Sequence, residues 1–344
     1  MFAEPLKLLG RDIQAQFGPG VWLRPVKAWE RLHSHVLRVA LCPEGGTNPH
    51  THLFLKVQKP RIVGGSVDGM RNRVENDFAT TARVHARMAH GVTFGAVRPI
   101  ACYPELLAIV TEEVTGETLL DRLQRQARWR PHVDVMDSLR EALKASGRWI
   151  RAFQEGSDSE EVMTPDAVRA YIDHRLAKIA NATGVRGERL RAGLLLRIDA
   201  LCRSIGAAQL VPVHADLSPS NLMVASDGRI VVIDFAMARL GHPLQDVARL
   251  FTQLQLLSSK PQFRPAVIGR LQTALLEGFD PTLTNDEPAF RLQIIAQRVN
   301  HLGSLTIRRY SRLEGAYNWF VRRRHWGWLE AEAAAEGGRS PSWG

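Results

Sequence analysis

Residues 211–235 read VPVHADLSPSNLMVASDGRIVVIDF and contain the most informative pattern of polar and apolar residues in the chain. Two apolar runs, 222–225 and 230–233, predict short buried strands joined by a turn at Ser226-Asp227-Gly228. Polar residues stand at both ends of this hairpin, and Asp234 directly follows its second strand. A carboxylate at the end of a buried strand emerges where the protein interior meets a cleft. The stretch therefore predicts a polar site at the edge of an apolar hairpin.

The polar residues of this stretch suit metal-assisted chemistry. The spacing allows Asp216 and Asp234 to face the same point, and Asn221 adds an amide oxygen. Two protein oxygen ligands, completed by phosphate and water, are the usual way in which Mg²⁺ is held. The carboxylate that does not bind the metal is then free to accept a proton from a hydroxyl group.

HADLSPSN followed by IDF resembles the catalytic loop and metal-binding motif of the protein-kinase-like fold. The pattern is His214, any residue, Asp216, then Asn221 five positions later, with Asp234 thirteen positions after Asn221. The resemblance implies that Asp216 is the catalytic residue and that Asn221 and Asp234 bind Mg²⁺. It also implies that His214 supports the loop through hydrogen bonds. A His-x-Asp without the rest of the motif would be explained equally well by a turn histidine and a helix-capping aspartate.

The N-terminal third fits the nucleotide-binding part of this fold. It reads as strands with one long helix over residues 71–90. Lys56, in the strand sequence FLKV, matches the lysine that contacts nucleotide phosphates, and Glu75, in the helix sequence RNRVENDF, is its expected partner. The alternative is that Lys56 and Glu75 are solvated surface charges. Lys59 and Glu44 are weaker candidates for the same two roles.

Two further segments are assigned by the resemblance. Glu112, Glu113 and Val114 match the hinge whose backbone groups bind adenine. The loop at residues 31–35, RLHSH, takes the place of a glycine-rich phosphate loop, and it departs from that pattern because it contains no glycine. Ser34 is the residue of this loop that we expect to contact a phosphate, through its backbone N–H and hydroxyl groups.

Other features separate the chain from protein kinases. Ala215 stands where they usually have arginine, and Ala236 stands where they have glycine. The span from Asp234 to the next helix is too short for a peptide-binding activation segment, and a helical insertion covers approximately residues 157–206. These features resemble the aminoglycoside phosphotransferase and choline kinase family, over roughly residues 25–320. In that pattern we expect Asp246 to have a supporting role, capping its helix and bracing the catalytic loop.

The fold class predicted from these features is α+β, a bilobal protein-kinase-like fold. It would have a small antiparallel-sheet N-lobe with one long helix and a mainly helical C-lobe. We expect a nucleotide-binding lobe over residues 1–115 and a catalytic, acceptor-binding lobe over residues 116–335. Residues 336–344 are rich in Gly, Ser and Pro and are predicted to be a disordered tail.

The amino-acid composition limits which binding partners and which cellular compartment we expect. The 344 residues carry a net charge of +10, with ordinary hydrophobic and charged fractions of 45% and 23%. Only three cysteines are present, so no disulfide framework is expected, and neither a signal peptide nor a membrane-spanning run is evident. We therefore expect a cytoplasmic enzyme. The charge alone is compatible with nucleic acid, an anionic membrane or a phosphorylated ligand.

The function predicted from this evidence is transfer of the γ-phosphoryl group of ATP to a hydroxyl group of a small molecule. Mg²⁺ is the expected cofactor, and GTP is an alternative donor. The basic, tryptophan-rich segment 308–328 favours a sugar or glycoconjugate acceptor, anionic or lipid-linked, over a cationic aminoglycoside. The alternatives are an aminoglycoside or amino-alcohol kinase, a protein kinase, a pseudokinase scaffold and a nucleic-acid-binding protein. No DNA partner is expected, and peripheral membrane contact through the basic segment is an alternative to a merely solvated helix face. The oligomeric state stays open.

Overall fold

The structure, a computed structural model, describes residues 1–18, 20–31, 33–44, 49, 51–59, 66–156, 159–307 and 312–335. Side chains are described in these ranges except at residue 17 and at residues 312–317. The chain divides into two compact units, and 55% of the described residues are helical, which confirms the predicted α+β class. The predicted tail, residues 336–344, lies outside the described residues, as does the start of the predicted insertion at residues 157–158.

The first unit contains residues 1–118 and 221–238. Its N-terminal segment forms α1 (Ala3–Phe17), β1 (Val21–Glu30), β2 (Ser34–Pro43), β3 (Thr51–Gln58), α2 (Val67–Arg87), β4 (Phe94–Ala96), β5 (Pro99–Tyr103), β6 (Ala108–Glu112) and β7 (Gly116–Thr118). Five of these strands form an antiparallel sheet in the order β1-β2-β3-β6-β5.

The two faces of this sheet differ in their surroundings: one packs against α1, and the other carries Lys56. Along β3, Leu53 and Leu55 are buried and pack with Leu9 and Ile13 of α1. Because successive strand residues point to opposite faces, Lys56 lies on the face away from α1. The apolar alternation of β3 therefore fixes which side of the sheet carries the lysine ammonium group.

The remaining elements follow in chain order. They are α3 (Leu119–Gln126), α4 (Val133–Gln154), β8 (Val162–Met163), α5 (Pro165–Thr183), α6 (Val185–Cys202), β9 (Ala208–Gln209), β10 (Val211–Val213), β11 (Leu222–Ala225), β12 (Ile230–Val232), β13 (Arg239–Gly241), α7 (Gln245–Leu257), α8 (Pro265–Phe279), α9 (Pro288–Ile307) and α10 (Arg312–Ala333).

The hairpin β11–β12 belongs to the first unit and not to the C-terminal lobe, to which the sequence had assigned it. The reason is strand pairing: β11 pairs antiparallel with β7, and β12 pairs parallel with β4. Together they form a four-stranded sheet, in the order β4-β12-β11-β7. Asn221 and Asp234 therefore belong to the same unit as Lys56, whereas Asp216 belongs to the second unit, residues 119–220 and 239–344.

The second unit is mainly helical. The predicted insertion is the antiparallel pair α5–α6, and α5 begins with the expected cap, in which the Thr164 hydroxyl accepts a hydrogen bond from the Ala167 N–H group. Helices α4 and α8 cross at Gly147 and Gly278, where any Cβ atom would overlap a carbonyl oxygen of the facing helix. This close approach explains two glycines inside helices, where glycine is otherwise unfavourable.

No helix in the described ranges is long and apolar enough to cross a bilayer.

Candidate functional site

Lys56 is the centre of a charged cluster in the first unit. Its Nζ atom lies 2.7 Å from Asp234 Oδ1 and 3.8 Å from Asp77 Oδ2. The other oxygen of Asp77, Oδ1, accepts a hydrogen bond of 2.8 Å from the backbone N–H group of Phe235. Asp77 thus connects the strand lysine with the IDF motif, and its carboxylate is 3% exposed.

The pairing predicted for Glu75 is wrong. Glu75 is exposed on α2, and the α2 carboxylate that pairs with Lys56 is Asp77. Two helix positions correspond to a rotation of about 200°, so residues 75 and 77 lie on opposite sides of α2. Asp77 shares the buried side with Val74 and Thr81, which are three and four positions away from it. An acidic residue on the apolar face of the predicted helix was the signal that the sequence offered.

Asn221 and Asp234 stand at the two ends of the β11–β12 hairpin. The backbone N–H group of Ile233 donates to the Asn221 carbonyl oxygen at 3.1 Å, so the two ends are held together. Asp234 has a φ of 68°, a left-handed conformation that is uncommon outside glycine and typical of functional sites. One amide oxygen and one carboxylate form a donor set that fits Mg²⁺.

The segment predicted to bind adenine follows the edge of β6. The backbone N–H groups of Glu112 and Glu113 donate to the carbonyl oxygens of Arg98 and His52, at 2.9 and 2.8 Å. The Glu113 carboxylate pairs with Arg38 of β2 at 2.8 Å. This segment, which continues into Val114, is therefore fixed by both of its neighbouring strands, and a cavity of about 330 Å³ in the same unit borders it.

Ser34, the residue predicted to contact phosphate, is the first residue of β2 and is buried. Its carbonyl oxygen accepts a hydrogen bond of 2.8 Å from the Arg31 N–H group, which closes the turn between β1 and β2. Leu32, within this turn, lies outside the described residues. The phosphate contact of Ser34 stays a prediction.

In the second unit, Asp246 braces the catalytic loop. It is fully buried in the first turn of α7, and its two oxygens accept hydrogen bonds from the backbone N–H groups of His214 at 2.6 Å and Ala215 at 2.9 Å. The predicted brace is confirmed. The predicted helix cap is not formed: Leu244 occupies the cap position, and no side-chain hydrogen bond caps α7. Burial raises the pKa of the Asp246 carboxyl group, while the loop amides and His214 oppose that shift.

His214 supports the loop from the inside. It is fully buried against the edge of Trp149, and its Nδ1 atom accepts a hydrogen bond of 3.3 Å from the Asp216 N–H group. Ala215, between them, has a φ of 60°, again in the left-handed region. The backbone that carries Asp216 is therefore held by hydrogen bonds to the side chains of Asp246 and His214. The supporting hydrogen bonds expected of His214 are therefore present.

Arg249 is the residue that sequence analysis missed. Its Nη2 atom forms an ion pair with Asp216 Oδ1, and it lies one helical turn after Asp246 on α7. The signal was this spacing, since residues three apart on a helix share a face. The helix that braces the loop backbone through Asp246 thus also contacts the side chain of Asp216.

The arginine- and tryptophan-rich C-terminal segment is partly buried. The carboxylate of Glu332 on α10 has no exposed surface and pairs with Arg197 of α6 and Arg291 of α9. Trp328 is buried against the guanidinium groups of Arg291 and Arg298, whereas Trp319 is 52% exposed. Residues 308–311 lie outside the described residues, and the side chains of residues 312–317 are not described. The interpretation of this segment as a solvated face therefore holds only for part of α10.

Comparisons with known proteins agree with this architecture. The model of the phosphotransferase enzyme family, APH, matches residues 71–283. The chain belongs to this family, and it is therefore a phosphotransferase of the small-molecule kinase class, as the motifs predicted. No curated protein matches the chain.

Several solved structures share the fold at low sequence identity. A thermostable mutant of aminoglycoside phosphotransferase APH(4)-Ia, in ternary complex with AMP-PNP and hygromycin B, is 16% identical, with a TM-score of 0.57, over 96% of this chain and 99% of that one. Plasmodium vivax ethanolamine kinase is 11% identical, with a TM-score of 0.55, over 93% and 86%. Macrolide 2'-phosphotransferase MphH from Brachybacterium faecium is 16% identical, with a TM-score of 0.50, over 97% and 100%. These likenesses confirm the protein-kinase-like fold.

Proposed function

We propose that this enzyme transfers the γ-phosphoryl group of ATP to a hydroxyl group of a sugar or glycoconjugate. The observation that carries the proposal is the cluster of Lys56, Asp77 and Asp234. It brings together a cation for the nucleotide phosphates and a carboxylate for Mg²⁺, and Asp77 holds both through Lys56 and the Phe235 amide. Aminoglycoside phosphotransferase APH(4)-Ia, which shares the fold, has been seen with AMP-PNP.

Each residue has a distinct part in the proposed reaction. Lys56 steadies the phosphates of the donor, and the hinge backbone at Glu112, Glu113 and Val114 binds its base. Since the Glu112 and Glu113 amides are already hydrogen-bonded, the carbonyl groups and the Val114 amide make that contact. Asp216 accepts the proton of the acceptor hydroxyl. At the same time the hydroxyl oxygen forms a bond to the γ-phosphorus, and the bond between that phosphorus and the oxygen of the leaving ADP breaks.

Asn221 and Asp234 would hold Mg²⁺, which neutralises charge on the phosphates during transfer. No group of three or more His, Cys, Asp or Glu side chains in the described part of the chain is arranged to hold a metal by itself. The two hairpin residues would therefore share the ion with the nucleotide. Without nucleotide, the Lys56 ammonium group balances the charge of Asp234.

The charges near Asp216 within the second unit favour a neutral or anionic acceptor. Arg249 pairs with Asp216 directly. Burial, and to a lesser degree the positive charges of Arg249 and Arg298, lowers the pKa of His301 to about 4, so this imidazole is neutral near pH 7 and the positive charge beside Asp216 is that of Arg249. A polycationic aminoglycoside would be repelled here, which is why we favour a sugar without amino groups.

The proposal is tested first by nucleotide binding. We expect Mg²⁺-ATP at about 100 times its dissociation constant to stabilise the wild type by about 2.7 kcal/mol, seen as a rise in Tm. Asp234→Ala should abolish the rise that depends on Mg²⁺. Asp227→Ala, which changes an exposed carboxylate in the turn of the same hairpin, should preserve it. Titration with Mg²⁺-GTP decides the donor. Equal rises for wild type and Asp234→Ala would refute the assigned metal site.

The acceptor is tested with sugars matched in shape but not in charge. ADP release is measured with glucose, glucuronate and glucosamine as neutral, anionic and cationic acceptors. We expect turnover with the first two to exceed turnover with glucosamine. Preference for glucosamine would contradict the assigned acceptor class while leaving the phosphotransfer site intact.

A further inference from the structure

A second cavity lies in the helical unit, and none of the residues assigned to phosphotransfer lines it. It has a volume of about 290 Å³ and is lined by Arg186 at the start of α6 and by four residues of α10: Trp319, Arg322, Arg323 and Trp326. We call this cavity the arginine–tryptophan pocket. None of its residues belongs to the 211–235 motif or to the predicted nucleotide site.

One helix face builds most of the pocket. Positions 319, 322, 323 and 326 follow the spacing that places side chains on the same side of a helix. The inner wall is fixed by Glu330, whose carboxylate accepts two hydrogen bonds from Arg186, at 3.1 and 3.2 Å, and one from Trp326 Nε1, at 2.6 Å. Arg186 also lies 4.6 Å from the centroid of the Trp326 ring, and Trp326 is only 4% exposed. The wall is therefore ordered before any ligand arrives.

The outer wall of the pocket carries the positively charged side chains of Arg322 and Arg323. Arg322 and Arg323 form no ion pair within the described ranges, and Glu330 is already engaged with Arg186. Arg323 lies 5.6 Å from the centroid of the Trp319 ring, and that ring is 52% exposed to solvent. The two guanidinium groups of Arg322 and Arg323 at a concave, aromatic surface attract anions, and a guanidinium group matches phosphate oxygens in a two-point contact. An exposed tryptophan face adds a surface on which a flat ring can stack.

We propose that the arginine–tryptophan pocket binds a small phosphate-bearing ligand with one ring, such as a sugar phosphate or a nucleoside monophosphate. The phosphate would contact Arg322 and Arg323, and the ring would lie on Trp319. The volume lies close to the lower end of the range for ligand sites, which suits one ring with one phosphate group. This binding site is separate from phosphotransfer, and the inference does not rest on the proposed function.

The test is isothermal titration of the full chain, saturated with Mg²⁺-AMP-PNP, against four probes. These are glucose 6-phosphate, uridine monophosphate, inorganic phosphate and glucose. We expect at least one of the two ring phosphates to bind with a Kd below about 1 mM, about 10-fold more tightly than inorganic phosphate, and glucose not to bind. The Arg322→Ala/Arg323→Ala double variant should weaken that binding by at least about 10-fold. Trp319→Ala should reduce it to the level of inorganic phosphate.

The matched control is Arg324→Ala, which removes a neighbouring charge of α10 that does not line the pocket and lies instead over Phe320. Its affinity should equal that of the wild type. If the control and the double variant lose affinity for the probe equally, binding reflects a general attraction to positive charge, and the proposal is overturned. If no phosphate probe binds with a Kd below about 10 mM, the proposal is also overturned. The same holds if Arg322 and Arg323 are needed for binding to phosphatidylglycerol vesicles while no soluble probe binds. Asp234→Ala, titrated without nucleotide beside the nucleotide-free wild type, should keep the binding, which separates this site from the proposed function.

Discussion

Arg249 of α7 and Asp216 of the catalytic loop form an ion pair within the helical unit. The pair attaches the side chain of Asp216 to the same helix that holds the loop backbone through Asp246. Asp216 is therefore held at both its backbone and its side chain, which fixes the position of its carboxylate.

The first prediction concerns Arg249. Replacing it with alanine removes the ion pair with the Asp216 carboxylate, and we expect kcat to fall by about 10- to 100-fold with little change in the KM for ATP. Arg249→Lys keeps the charge but not the planar fork, so kcat should be intermediate. Arg270→Ala, at an exposed position of α8, is the control. A rise in the KM for ATP with unchanged kcat would mean that Arg249 does not act through Asp216.

The second prediction separates the two acidic residues of α2. Asp77→Asn removes the charge near Lys56 and weakens the hold on the Phe235 amide, so kcat/KM for ATP should fall by about 10- to 100-fold. The exposed Glu75→Gln should stay within about 2-fold of the wild type, as surface substitutions usually do. Steady-state kinetics of both variants checks this expectation. The reverse order of effects would restore Glu75 as the functional residue.

The third prediction concerns packing between α4 and α8. A Cβ atom at Gly278 would overlap the carbonyl oxygen of Lys144, so Gly278→Ala should destabilise the protein by about 1–3 kcal/mol. Gly269, on the same helix, has no neighbouring atom within 4 Å of an added Cβ. Gly269→Ala should therefore stabilise by about 0.5–1 kcal/mol through helix propensity. Denaturant unfolding measures both, and effects of the same sign would contradict the close crossing.

The fourth prediction is a pH dependence of stability. Burial lowers the pKa of His242 from 6.5 to about 4. The unfolded chain then binds the proton first, so stability falls as the pH drops from 6.5 towards 4 and levels off below that range. The lost stability for this group is about 3 kcal/mol, at about 1.4 kcal/mol per pKa unit.

His242→Asn tests this assignment. The Nδ1 atom of His242 accepts a hydrogen bond from the Leu244 N–H group at 3.1 Å, and an asparagine oxygen can accept the same bond without titrating. The difference in unfolding free energy between pH 7 and pH 5 should shrink in this variant. Because His301 and His325 are also buried with lowered pKa values, part of the dependence should remain. An unchanged difference would show that His242 does not contribute.

Local sequence patterns predicted most of the site. The motif 214–221, the following hairpin and Asp234 are close in sequence, and their chemistry depends on spacing that can be read directly. Lys56 was identified because its strand sequence, FLKV, matches the position of the phosphate-contacting lysine in the fold that the chain resembles. Glu75 was predicted from its place on the helix that follows β3, whereas the carboxylate that contacts Lys56 belongs to Asp77, which shares the buried side of α2 with Val74 and Thr81.

Long-range pairing is what the sequence did not show. The hairpin joins the first unit through β4 and β7, which lie more than 100 residues earlier in the chain. The buried network of Arg197, Arg291 and Glu332 joins three helices that are separate in sequence. Charged residues at such positions look like surface residues until the tertiary structure shows which helices meet.

In the proposed mechanism, Asp216 is the residue that would receive the proton of the acceptor hydroxyl. The most direct measurement compares wild type with Asp216→Asn for phosphoryl transfer and for Mg²⁺-ATP binding in parallel. We predict that turnover falls by at least about 100-fold, because asparagine cannot take the proton, while the dissociation constant for Mg²⁺-ATP changes by less than about 3-fold. Near-wild-type turnover in this variant would contradict the role assigned to Asp216 and, with it, the proposed mechanism.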